Sequence, residues 1–192
     1  MNPETKISPT ASQTVGPFFH LGCTERSSIA SLVTPETKGE RIRITCRVLD
    51  GNGEPVSDAM IEIWQANAQG KYDHPDDKQD KLIDPAFRGF GRQATDETGI
   101  CTFETIKPGR VPGNDGSLQA AHINISVFAR GVMQRLATRI YFAGDPAIVN
   151  DPVLGLVPED RRHTLLAQRS GAGEWSFDIH LCGENETVFF DV

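Results

Sequence analysis

The stretch "QAAHINISVFARG", Gln119 to Gly131, sets His122, Asn124 and Ser126 against Ile123, Ile125 and Val127 in strict alternation. Successive side chains of a strand point to opposite faces, so the pattern predicts a β-strand with an aliphatic face and a polar one. A histidine in place of Asn124 would give His-x-His, two imidazoles side by side and ready for a transition metal. An amide is neutral and weakly basic. The strand is built like the wall of a metal site and withholds one ligand.

The same alternation recurs on both sides of it. In "RIRITCRVLD", Ile42, Ile44, Cys46 and Val48 share one face while Arg41, Arg43, Thr45 and Arg47 share the other. The Gly/Pro turn "GNGEPVSDA" and then "MIEIWQAN" follow, and further strands are predicted at "RQAT", "GICTFETI", "RLATRIYF", "EWSFDIHL" and "TVFFDV". Turn residues separate them at 96–99, 108–116, 144–146 and 183–185. Many short strands at this spacing predict an all-β, antiparallel β-sandwich with long loops. One short helix is expected near 158–169, where Pro158, Glu159 and Asp160 open the segment and Arg169 closes it, matching the helix dipole. The polar segments 1–17 and 72–85 read as an arm and a long loop.

The chain has 192 residues, one domain's worth, and a formal net charge of −7, which argues against binding nucleic acid through phosphate neutralisation. No signal peptide or membrane span is readable, and a cytoplasmic protein is expected. Cys23, Cys46, Cys101 and Cys182 form no C-x-x-C pair and are expected to be reduced, with Cys46 and Cys101 buried in strands. The five histidines show neither H-x-H nor H-x-x-x-H. The chain offers no compact metal motif.

Taken in order, "SQTVGPFF", "EIWQANAQGKYDH", "FRGFGRQATDETGICTFETIKPGRVPG", "AAHINISVFARG", "TRIYFAGD" and "FDIHLCGENETVFFDV" are spread over 12–192, nearly the whole chain. Together they resemble the intradiol ring-cleaving dioxygenases, non-haem ferric enzymes that open catechols between the two hydroxyls. The resemblance implies an iron site of two tyrosines and two histidines, because hard ferric iron favours phenolate oxygen with imidazole nitrogen. Of those four positions, Tyr72 and His122 match, whereas Val111 and Asn124 stand where a tyrosine and a histidine belong. The resemblance therefore implies a vestigial site at Tyr72, Val111, His122 and Asn124, with no metal held and no catalytic residue in this chain. His122 is expected to hydrogen-bond within that relic, to Tyr72 by preference.

Within the family, these departures are those of the alpha chain in a large alpha–beta hetero-oligomer, whose homologous beta chain carries Fe(III). The substrate so implied is the small aromatic acid protocatechuate, opened with O2 to 3-carboxy-cis,cis-muconate. Thr14, Gly16, Pro17 and Arg130 are then expected to line the substrate pocket at the alpha–beta interface. Residues 1–40 would form an N-terminal arm contributing to that interface, and 41–192 the sandwich domain. Guanidinium suits a carboxylate, and Gly16 and Pro17 shape a turn rather than perform chemistry. The plain alternatives are a surface salt bridge for Arg130, a solvated face for Arg88 and Arg92, and core packing for Trp64 and Phe103. A stand-alone binding module on a degenerate dioxygenase scaffold is the competing reading of the whole chain. A self-sufficient enzyme recruiting His74 or His180 is a third.

Overall fold

The computed structural model describes residues 10–25, 27–113 and 116–192; the first nine residues of the expected arm and positions 114–115 of the expected turn lie outside them. Eight strands follow one another as β1 (Arg41–Leu49), β2 (Met60–Trp64), β3 (Phe90–Ala94), β4 (Ile100–Ile106), β5 (His122–Phe128), β6 (Leu136–Phe142), β7 (Leu166–Gly171) and β8 (Glu174–His180). They hydrogen-bond as a single sheet in the order β3-β2-β5-β6-β7-β8-β1-β4. The fold is mostly β, as expected, but not wholly antiparallel: β1 runs parallel to β8, and β6 parallel to β7. A parallel neighbour needs a long crossover, and residues 143–165 between β6 and β7 provide one.

The sheet curls until it nearly closes around one core. Ile42, Ile44, Cys46 and Val48 of β1 meet Ile61 and Ile63 of β2 and Ile123, Ile125 and Val127 of β5 there. The arginines that alternate with the β1 core residues stay outside, where Arg47 grips Asp178 of β8 at 2.6 Å. Segment 29–33 bridges the gap between the sheet's two edges. Ile29 exchanges backbone hydrogen bonds with Arg92 of β3, and Leu32 N donates to Glu104 O of β4. Leu32 itself is buried in the core.

Two expectations on local structure change. The short helix expected near 158–169 is present but as a 3-10 helix, Glu159–Leu165, and it ends early because Leu166 already begins β7. Strand pairing takes over because Ala167 lies opposite Phe142 and fills the core, which a continued helix would leave open. "TVFFDV" is no strand either. It makes one bridge, Phe190 to Ala137, and packs Phe189 and Phe190 onto the two hydrophobic clusters. At the other end "PFFH" forms a short α1 (Pro17–His20) running into a π-helical turn, Leu21–Glu25. The second cluster, with Tyr141, Ala120, Leu154, Val157 and Leu165, lets the 143–165 crossover cover part of the sheet's other face.

Candidate functional site

The polar face of β5 carries two of the four positions expected to be vestigial, His122 and Asn124. Tyr72 stacks on Trp64 of β2, with centroids 5.7 Å apart and planes inclined by 17°. Trp64 lies opposite Asn124 in the β2–β5 register, so the stacked tyrosine hydroxyl reaches β5. Asn124 Nδ2 donates to it at 3.1 Å, and also to Trp64 O at 3.3 Å. Val111 lines the same cleft of about 550 Å³ as Trp64, Tyr72 and His74.

Glycines bring the two loops that carry Tyr72 and Val111 together. A Cβ on Gly70 (φ +76°) would stand 1.9 Å from Arg110 O, and one on Gly109 would stand 2.4 Å from Gly70 N. Only glycine fits at these two positions.

His122 does not bond Tyr72. Its Nδ1 lies 2.8 Å from Ala120 O and its ring tilts against Tyr141, so the expected partner is wrong. Asn124, two residues along β5 and opposite Trp64, takes the tyrosine hydroxyl instead. Burial, with the Arg139 charge adding to it, holds His122 down to about 4, so the imidazole is neutral. Burial pushes the Tyr72 phenol above its usual range. Tyr141, fully buried, is raised by burial too, and its hydroxyl donates to Asp151 Oδ1 at 3.0 Å.

These residues do not fit the family's ferric ion. Val111 has no donor atom and Asn124 offers a neutral amide. The Tyr72 oxygen already accepts from that amide, and the phenol is biased toward its protonated form. Among the described residues, no cluster of three or more His, Cys, Asp or Glu side chains is arranged to hold a metal.

The four residues expected at an interface pocket do come together. Thr14, Gly16, Pro17 and Arg130 line one cleft of about 580 Å³, with Phe19, Asp58 and Met60. Thr14 fastens the N-terminal segment to the end of β5: its Oγ1 accepts from Gly131 N at 2.7 Å and donates to Ala129 O at 3.5 Å. Gly131 holds φ +86°, which turns the chain so that Arg130 projects from the rim. Nothing lies within 4 Å of where a Gly16 Cβ would be. Arg130 Nε sits 3.0 Å from Asp58 Oδ2, and its side chain is 78% exposed. Phe18, beside the cleft, is 88% exposed.

Other positions resolve into structure. Phe103 is core, whereas Trp64 lines the relic cleft. Arg92 pairs with Glu62 and lies over Phe90, and Arg88 is exposed. All four cysteines are free, Cys46 and Cys101 buried opposite each other on β1 and β4. Sequence reasoning missed Arg139, Gln119 and Asp151 around the relic, and the buried pair Lys71–Asp77 under the Tyr72 loop. Of these, only Arg139 left a signal: it alternates with Tyr141 on β6, yet its place beside Asn124 needs the strand register.

A family model described as "Dioxygenase" (Dioxygenase_C) matches residues 14–183. The chain is 42% identical to the protocatechuate 3,4-dioxygenase alpha chain of Pseudomonas putida, over 96% of this chain and 97% of that one. It is also 42% identical to the beta chain of the Burkholderia cepacia enzyme, over 79% of this chain and 68% of that one. In structure it resembles the dioxygenase domain of a carbohydrate-binding fusion from Streptomyces sp. SirexAA-E. That likeness has a TM-score of 0.62 and 29% identity, over 92% of this chain and 99% of the other. By the family model over most of its length and by these relatives, this chain belongs to the intradiol ring-cleavage dioxygenase family.

Proposed function

We propose that this chain is the non-catalytic alpha subunit of a protocatechuate 3,4-dioxygenase, assembled with a homologous beta chain that holds the Fe(III). The observation that carries the reading is a contrast between two clefts. The one holding the family's ligand positions lacks the donors for iron, while Thr14, Gly16, Pro17 and Arg130 converge on another beside an exposed apolar residue, Phe18. A surface of that kind suits a partner. The 42% and 39% identity to two alpha chains over nearly their whole length supports the same reading.

In the assembly the chemistry belongs to the partner's metal, and this chain shapes the binding site. Arg130 supplies a guanidinium for the substrate carboxylate, loosely held by Asp58 until that anion arrives. Gly16 and Pro17 form the wall and Thr14 fixes the arm that carries them. Residues 1–40 serve as the interface arm of a domain read as two packed layers, β3-β2-β5-β6 and β7-β8-β1-β4. Four free thiols suit a reducing cytoplasm, and the negative net charge suits a protein without nucleic-acid partners.

Titrating an iron-bearing beta chain of the family with this chain tests the proposal. A stable hetero-oligomer whose protocatechuate turnover rises with added chain to a stoichiometric end point supports it. Separate elution and unchanged turnover would favour a stand-alone binding module.

A further inference from the structure

We infer that Asp58 sets how tightly the Arg130 cleft holds anions, offsetting the guanidinium so that a substrate with one carboxylate binds and a product with three still leaves. Among the described residues, Arg130 is the only lysine or arginine that lines this cleft and Asp58 the only acidic one, so their balance decides the field there. The wall around them is largely apolar, with Val15, Phe19, Leu21 and Met60, and an apolar wall strengthens the effect of each charge.

Both partners are held from the backbone. The antiparallel pairing of Met60 with Phe128, carried two residues further, sets Asp58 opposite Arg130. Thr14 grips Ala129 O and Gly131 N on either side of the arginine. Buried Thr95 ties down the turn that carries Asp58, its Oγ1 donating to Val56 O at 2.7 Å and accepting from Ala59 N at 3.1 Å. The carboxylate is thus a fixed neighbour of the guanidinium. Its Oδ2 engages Nε at 3.0 Å, which leaves Nη1 and Nη2 to meet an incoming carboxylate end-on. That anion is attracted by Arg130 and repelled by Asp58. The repulsion grows with the number of carboxylates, so it bears hardest on the product.

This inference rests on reading the cleft as the substrate pocket that a beta chain completes, and the experiment separates the two. Complexes of an iron-bearing beta chain with the unaltered chain, Asp58→Asn, Asp58→Glu and Arg130→Ala are compared. Protocatechuate binding is measured by calorimetry without oxygen, inhibition by 3-carboxy-cis,cis-muconate during turnover, and KM for catechol as the substrate without a carboxylate. Asp58→Asn keeps an acceptor for Nε and loses the charge, so it should tighten protocatechuate about tenfold and the product by at least as much. Catechol should change by less than about twofold, and Asp58→Glu should bind as the unaltered chain does. Unchanged or weaker protocatechuate binding by an assembled Asp58→Asn complex, or an equal gain for catechol, would overturn the role of Asp58. No complex with the unaltered chain, or protocatechuate binding unaffected by Arg130→Ala, would overturn the substrate-pocket reading itself. Thermal melts identify the folded variants, and Asp58→Ser carries the same prediction should asparagine not fold.

Discussion

Asn124 Nδ2 donates to the Tyr72 hydroxyl at 3.1 Å, so the β5 amide and the loop phenol, both at positions where the sequence resemblance implies metal ligands, bond each other. The contact makes Tyr72 a structural residue. Tyr72→Phe should cost about 1 kcal/mol of stability, one net hydrogen bond, and leave iron content and turnover of the assembled enzyme within about twofold. Chemical denaturation and metal analysis of the complex check both halves. Loss of iron from the complex would put Tyr72 back among the ligands.

Arg130 is predicted to act on substrate and not on folding. Its exposed pair with Asp58 contributes at most about 1 kcal/mol to stability, so Arg130→Ala should melt close to the parent. In the alpha–beta complex the same change removes a charge-assisted hydrogen bond. KM for protocatechuate should then rise roughly tenfold to a hundredfold, and far less for a catechol without the carboxylate. Equal losses on both substrates would make Arg130 a residue of the interface alone.

Beneath the Tyr72 loop, Lys71 Nζ reaches Asp77 Oδ1 at 3.1 Å, both side chains under 10% exposed. Burial alone would raise the Asp77 carboxyl, but hydrogen bonds from Gln79 N, Tyr72 N, Lys71 and the Gln79 amide bring it down to about 2. The carboxylate is therefore stabilising at neutral pH, and that effect is lost as pH falls from about 4, where the unfolded chain protonates it, through about 2. Asp77→Asn leaves a buried ammonium unpaired and should destabilise the chain by about 3 kcal/mol, measured by urea unfolding at pH 7.

His122 predicts a second acid limb at milder pH. The folded chain holds it neutral down to about 4, whereas the unfolded chain protonates it near 6.5. Its contribution to stability is complete above about pH 6.5 and is lost as pH falls toward 4, some 3 kcal/mol in all. Denaturation curves between pH 7.5 and 4 should flatten over that window in His122→Gln. An unchanged slope would mean that His122 titrates normally in the folded protein.

The alternation of β1 and β5 was legible because one face of each lies in the core, and a period of two survives whatever the strands pair with. The closing helix was legible from its terminal charges, but not its 3-10 winding or its early end at Leu165. The demand that Ala167 fill the core opposite Phe142 is a tertiary one. Of the relic, Val111 and Asn124 stood out as absent donors in a recognisable frame. Arg139 did not, since it meets Asn124 only once β5 and β6 are in register, and Gln119 enters only through its bond to Arg139. The true partner of His122, the Ala120 carbonyl, is a backbone group and leaves no residue-type signal at all.

Iron and ring-cleavage activity of this chain, purified alone and then assembled with an iron-bearing beta chain, test the central claim most directly. The chain alone should carry no stoichiometric iron and show no turnover. The assembly should hold one iron per alpha–beta pair, open protocatechuate, and keep both properties when Tyr72 is changed to Phe. Stoichiometric iron and turnover from the lone chain would contradict the account at its base.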